Sequence, residues 1–302
     1  MKIIDLHCDT LYKFKSVNGY SFKNNNGHIT ENTLIKGDYM AQCFAAYIPA
    51  NLMGEDAYTY FSASINDFEK NILTAKIKKA KNGKQIIENN NNGFVSAVLT
   101  VENAEPLNGS INRVNEFVNH NVRLLGLVHN GENCIGFPHN NSCEGLKQFG
   151  KDVVEALNET DITVDVAHLN KKGFSDVADI SKKPFVSSHS ACDALCHHTR
   201  NLTDHQIRAI AKSGGVVGIP FYAAFLNGGT KTEICDIIRH LEHLINTGGE
   251  DIAALGTDFD GMTCDLFLKD CSEMPRIANE IIKKFGFNLA EKICYKNALR
   301  II

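Results

Sequence analysis

Eight short apolar runs recur along the 302 residues, and patterns of helical period separate them. They are KIIDL (2–6), QCFAAYI (42–48), FVSAVLTV (94–101), VRLLGLV (122–128), ITVDVA (162–167), PFVSS (184–188), GVVGIPF (215–221) and IAALGT (252–257). Most are continuous rather than alternating, as strands buried on both faces of a parallel sheet require. Between them, Tyr58, Phe61, Ile65, Phe68 and Ile72 repeat at three and four, one apolar helix face, with Gly83 as a stop signal after a basic stretch. Thr203 and Gln206 form a capping box for a helix that closes at Gly214, and FGKDVVEALNET reads as a further amphipathic helix. Eight strands alternating with helices over this length predict an α/β fold, a (β/α)8 TIM-like barrel, with a doubly wound open sheet as the alternative. No Gly/Ser-rich or proline-rich linker divides the chain, so residues 1–302 are expected to form a single domain. The polar stretches SVNGYSFKNNNGHITEN and IIENNNNG read as surface loops.

Polar side chains cluster where these runs end. His7 and Asp9 follow the first, Glu102 the third, His129 the fourth, His168 the fifth, His189 the sixth and Asp258 the eighth. In a parallel barrel such positions share the C-terminal rim, so residues spread over most of the chain converge on one mouth. In DLHCD, strand alternation would also turn Asp5 to the side of His7 and Asp9. Imidazoles and carboxylates are ligands for zinc and similar ions. The set is too large for one tetrahedral ion and suits two, ~3.5–4 Å apart, with one carboxylate bridging. Such a pair turns a shared water into a nucleophile near neutral pH.

Composition narrows the classes. The 31 basic and 35 acidic residues are well mixed and leave a net charge of −4, which argues against a nucleic-acid partner. No apolar stretch is long enough to cross a bilayer, and MKIIDLHCDT lacks the apolar core of a signal peptide, so a cytoplasmic protein without a membrane partner is expected. The ten cysteines include no CxxC pair and read as reduced, mostly buried side chains; CDALCHHTR lacks the second pair a structural zinc site would need.

DLHCDT, VENAEPL, LVHNGEN, GLKQFGKDVVEALNETDITVDVAHLN, FVSSHS, TRNLTD and GTDFDG together resemble the membrane (renal) dipeptidase family, peptidase family M19, of the soluble bacterial type. The resemblance implies a zinc dipeptidase, including activity on L,D-dipeptides, with two Zn2+ per chain and a homodimeric assembly. It implies that His7 and Asp9 bind one zinc, His168 and His189 the other, and that Glu102 bridges them. It places His129 at the scissile carbonyl, Arg200 at the substrate carboxylate, and Asp258 as the acid near the water and the substrate amine. The chemistry agrees: two carboxylate oxygens can reach two cations, and a guanidinium fork matches a carboxylate. Two departures stand out, Asn103 where the family usually has Gly, and Tyr295 where a small residue is common. The rival readings are a related hydrolase of cyclic amides, which would often carry a carboxylated lysine instead of Glu102, and a catalytically silent metal-binding scaffold.

Overall fold

A computed structural model of the chain describes residues 1–23, 27–141 and 143–302. Seven strands lie in the order Thr163–Asp165, Leu124–Gly126, Val95–Glu102, Tyr39–Tyr47, Ile3–Asp5, Ala253–Leu255, Val217–Ile219. Every one of their pairings is parallel. The two ends of this curled sheet meet through the segment expected as the sixth strand, where Val186 bridges to Asp165 and Ser187 to Val217. The eight expected runs therefore all take their places around a barrel-like ring.

The sixth is reduced to single bridges for a physical reason. Pro184 has no N–H to give a ladder, and the Ser188 N–H donates to the Asp165 carboxylate (2.9 Å). One buried group, with Ile4, Cys43, Val98, Leu124, Val186 and Ala254 from the strands, also takes in Ala298 and Ile301 near the C-terminus. Residues of the opposite alternation, such as Ile3, Phe44, Leu99 and Leu255, join the larger layer shared with the helices.

The capping box at Thr203 and Gln206 opens the helix Asp204–Ser213, which stops at Gly214 with φ +83°. FGKDVVEALNET falls on the helix Gln148–Leu157. The apolar face through Phe61, Ile65, Phe68 and Ile72 is buried. Its helix Gly54–Asp67 loosens into a π-turn at Phe68–Ile72.

Two expectations fail nearby. A further strand, Ile77–Lys79, pairs with Val95–Ala97. Gly83 does not stop a helix but opens one, Gly83–Asn91, because Asn82 Oδ1 accepts the Gln85 N–H and caps it. Gly83 is needed for approach: a Cβ there would come within 2.7 Å of the Leu299 carbonyl. IIENNNNG, expected as a loop, thus belongs largely to this helix, anchored by buried Ile86. The other polar stretch runs partly through residues 24–26, outside the described residues, and its end enters the helix Glu31–Lys36.

All ten cysteines are free thiols and five of them are buried. No described helix is long and apolar enough to cross a membrane.

Candidate metal centre

The residues that follow the strands do meet. Asp9, Glu102, His129, His168, His189, Arg200 and Asp258 line one cavity of about 510 Å³, and His7 packs beneath them. Asp5 does not join. The strand ends at Asp5, and its carboxylate accepts the Thr257 N–H (2.8 Å) and hydroxyl (2.7 Å) and the His7 N–H (3.3 Å). It ties the first strand to the last beneath the site.

Glu102 stands at the centre. Its Oε2 faces His7 Nε2 at 3.9 Å, while its Oε1 lies 2.9 Å from His168 Nε2 and 3.5 Å from His189 Nε2. His7 Nε2 is also 3.3 Å from Asp9 Oδ2 and 3.9 Å from Asp258 Oδ1. Three overlapping donor groups could hold an ion: His7, Glu102 and His189; Glu102, His129 and His168; and His7, Asp9 and Asp258. Cys192, Cys196, His197 and His198 form no such group among the described residues.

The donors are aimed from behind. His168 Nδ1 lies 2.8 Å from Asn130 Oδ1, an oxygen that can only accept, so the ring keeps its proton there and turns the Nε2 lone pair inward. His189 Nδ1 has the Ser188 hydroxyl at 2.8 Å for the same purpose. The two Nε2 atoms then sit 2.9 Å apart. Two lone pairs at that distance repel unless a cation lies between them and the carboxylate. Burial pushes both imidazoles well below their usual range, with Arg200 adding to the effect, so both are neutral, the form that can offer a lone pair to a metal. Asp9 Oδ1 is buried without a hydrogen-bond partner, a further orphan that a cation would satisfy. The donor set therefore fits divalent ions of the zinc type.

Electrostatics around the donors are uneven. Burial raises Glu102 well above the carboxylate range, and Asp9 raises it further against the pull of His7. Asp258 is pushed up to about 7 by burial and by Asp9, against His7 and Arg200. Burial disfavours the His7 imidazolium, yet Asp9, Glu102 and Asp258 together lift it to about 10. Burial lowers His129 to about 4, so it is neutral, and its Nδ1 has no partner. His129 packs between Tyr47 (centroids 4.7 Å apart) and His168 (4.4 Å).

Arg200 is buried at the cavity wall. Its Nη2 donates to the His189 carbonyl (3.2 Å), its Nη1 to Ser190 Oγ (3.4 Å), and its Nε is left unpaired. Burial brings it down to about 10 despite Asp258 and Glu102. Phe225 lies under the guanidinium, 5.3 Å from the ring centroid.

Local backbone explains the motif residues. Asp258 and His168 take positive φ (+62° and +67°), sharp turns that swing their side chains over the strand ends. Asp260 shapes the turn, accepting from Thr10 Oγ1 (2.8 Å) and the His28 N–H (2.9 Å). A Cβ at Gly261 would stand 2.0 Å from Asp9 Oδ2, so only glycine passes there. Asn103 also has positive φ (+82°), where Gly or Asn is favoured, so the departure keeps the backbone turn. Its side chain donates to the Ile48 carbonyl (2.9 Å) and accepts from the Glu105 N–H and from Asn133. Sequence reasoning missed Asn130 and Ser188, although both adjoin named histidines. It also missed three residues of the cavity wall: Tyr47, the last residue of its strand, and Tyr222 and Phe225, which cap and belong to the short helix Ala223–Leu226.

Comparison with known proteins gives one consistent answer. A family model described as Membrane dipeptidase (Peptidase family M19) matches residues 1–302. An uncharacterised protein in the pqqA 5′ region of Klebsiella pneumoniae is 36% identical over 69% of this chain and 81% of its own length. A crystal structure of dipeptidase AC, an M19 metallopeptidase, is 27% identical with a TM-score of 0.92, covering 100% of this chain and 97% of its own. A metallopeptidase from Rhodobacter sphaeroides, liganded with a phosphinate mimic of the dipeptide L-Ala-D-Ala, is 26% identical with a TM-score of 0.92, covering 100% and 98%.

Proposed function

The chain belongs to peptidase family M19, the membrane dipeptidases, and is a metallo-dipeptidase; from that premise we propose that it binds two zinc ions and hydrolyses dipeptides, including those with a C-terminal D-residue. The two faces of Glu102 carry this reading: one oxygen is turned to His7 and the other to His168 and His189. His7 and Asp9 would hold one ion and His168 and His189 the second, with Glu102 shared. When bound, the pair supplies Lewis acidity, which brings a water to a reactive protonation state near neutral pH and polarises the scissile carbonyl.

The remaining steps belong to the chain's own residues. Asp258, whose carboxyl burial holds near neutrality, accepts a proton from the attacking water and returns it to the leaving amine. His129, neutral and walled in by Tyr47, donates a hydrogen bond to the carbonyl oxygen as negative charge builds there. Arg200, whose guanidinium lines the cavity with N–H groups to spare, would receive the substrate's free carboxylate, which limits the substrate to a single residue beyond the cleaved bond. D-residue acceptance is supported by the L-Ala-D-Ala mimic bound to the Rhodobacter relative. The same reading carries a single barrel domain over residues 1–302, a homodimer and a cytoplasmic location.

Hydrolysis of L-Ala-D-Ala by zinc-loaded and by chelated protein tests it. Turnover that needs zinc and vanishes with chelator is the expected result. No turnover in folded, zinc-loaded protein would move the reading to cyclic amides or to a silent scaffold.

A further inference from the structure

At the opposite end of the barrel, below the N-terminal ends of the fourth to sixth strand positions, lies a second cavity of about 230 Å³. Its walls carry Arg123, Ser181, Lys183 and Arg300, with Asp161 as the one acidic residue lining it. Three cations against one acid make a local excess of positive charge in a chain whose net charge is −4.

Arg123 is the unusual member. It precedes the strand Leu124–Gly126 and is half-buried, yet its guanidinium has no hydrogen bond or ion pair among the described residues, and its Nε is fully buried and unpaired. Burial lowers it from the usual arginine value, with Asp161 pulling the other way. The buried Ser181 hydroxyl beside it is likewise without a partner. A donor buried without a partner forfeits the hydrogen bonds it made to water, so two at one cavity wall call for an acceptor. The frame around them is fixed. Asn158 ties the two loops together through the Ile180 carbonyl (3.2 Å) and the Lys182 N–H (2.8 Å). Lys183 Nζ donates to the Thr160 carbonyl (2.6 Å), and Arg300 to the carbonyls of Gly214 and Asp251, each keeping N–H groups to spare.

We propose that this cavity is a binding site for a small tetrahedral oxyanion, phosphate or the phosphoryl group of a phosphomonoester, held by Arg123, Ser181, Lys183 and Arg300. Donors from separate chain segments suit a tetrahedral anion, whereas one guanidinium fork would satisfy a planar carboxylate. The site lies across the barrel from the zinc ligands and does not depend on the substrate assignment above.

Isothermal titration calorimetry on the zinc-loaded protein, with inorganic phosphate and with glycerol 3-phosphate, tests the site. Saturable binding of at least one is expected, and which of them binds more tightly tells free phosphate from a phosphomonoester. Affinity should survive Arg200→Met, which removes the cation at the catalytic mouth. It should fall at least tenfold in Arg123→Met and in Lys183→Met, with dipeptide hydrolysis unchanged. Should Arg123→Met fail to fold, Lys183→Met carries the test, because that side chain is exposed. Absence of binding, loss of binding in Arg200→Met, or an unchanged affinity in either folded cavity variant would overturn the proposal.

Discussion

His168 and His189 bring their Nε2 atoms within 2.9 Å of each other while Asn130 and Ser188 hold their Nδ1 atoms from behind, each at 2.8 Å. That geometry has little use without a cation and makes the two supporting residues testable. Asn130→Ala and Ser188→Ala should each weaken zinc binding by about 10–100-fold, as loss of such orienting partners does elsewhere. Competition with a chromophoric chelator reads this directly. Undiminished affinity would mean that packing alone orients the rings.

Asp258→Asn should lower kcat by about 10²–10⁴-fold, the range for loss of a positioned acid or base. Elemental analysis should still find the wild-type zinc content. A parallel loss of metal would make Asp258 a ligand of the His7 and Asp9 group rather than a proton carrier.

Arg200→Met removes the guanidinium and its charge from the cavity wall. The expected cost is about 100-fold in kcat/KM for a dipeptide, roughly 2.7 kcal/mol. A dipeptide amide, which has no carboxylate to lose, should be cleaved equally by both proteins. An equal loss on both substrates would assign Arg200 to holding the His189 backbone instead.

Asn103→Gly keeps the positive φ but leaves the Ile48 carbonyl and the Glu105 N–H without their partner. A loss of about 1–3 kcal/mol in urea unfolding is expected. Asn103→Val should cost more, since a β-branched side chain is strained at that φ. A neutral Asn103→Gly would mean that neighbouring groups or water take over the bonds.

His240 gives a pH prediction away from the metal. It is fully buried, its Nδ1 accepts the Cys192 N–H (3.0 Å) and its Nε2 donates to the Leu226 carbonyl (2.8 Å), so a second proton has no place. Burial lowers it from 6.5 to about 4. The unfolded chain therefore binds the proton first as pH falls. Stability from this group is complete above pH ~6.5 and drains away toward pH ~4, by about 2 kcal/mol at pH 5. His240→Gln can keep both hydrogen bonds without titrating, so its urea midpoint should fall less between pH 7 and pH 5 than that of wild type. Equal slopes would contradict the assignment.

The strand ring was legible because strands buried on both faces leave continuous apolar runs, as in FVSAVLTV. Ile77–Lys79 was not, because three residues inside AKIKKAKNG leave no such run, and Gly83 reads as a stop until its contact with Leu299 is seen. At the site, the convergence of imidazoles and carboxylates from the strand ends was readable from the common rim they share. The role of Asp5 was not: alternation put it beside His7, but the strand ends there and its carboxylate turns to Thr257. Asn130 and Ser188 belong to residue types found in any loop, so only geometry singles them out. The lower cavity draws Arg123, Lys183 and Arg300 from distant segments, and no local motif announces it.

The most direct test of the central claim is anomalous diffraction at the zinc edge from zinc-loaded crystals. Two peaks ~3.5–4 Å apart are expected, one beside His7 and Asp9, the other beside His168 and His189, with Glu102 between them. A single peak, or a second peak away from Glu102, would contradict the bridging role on which the mechanism rests.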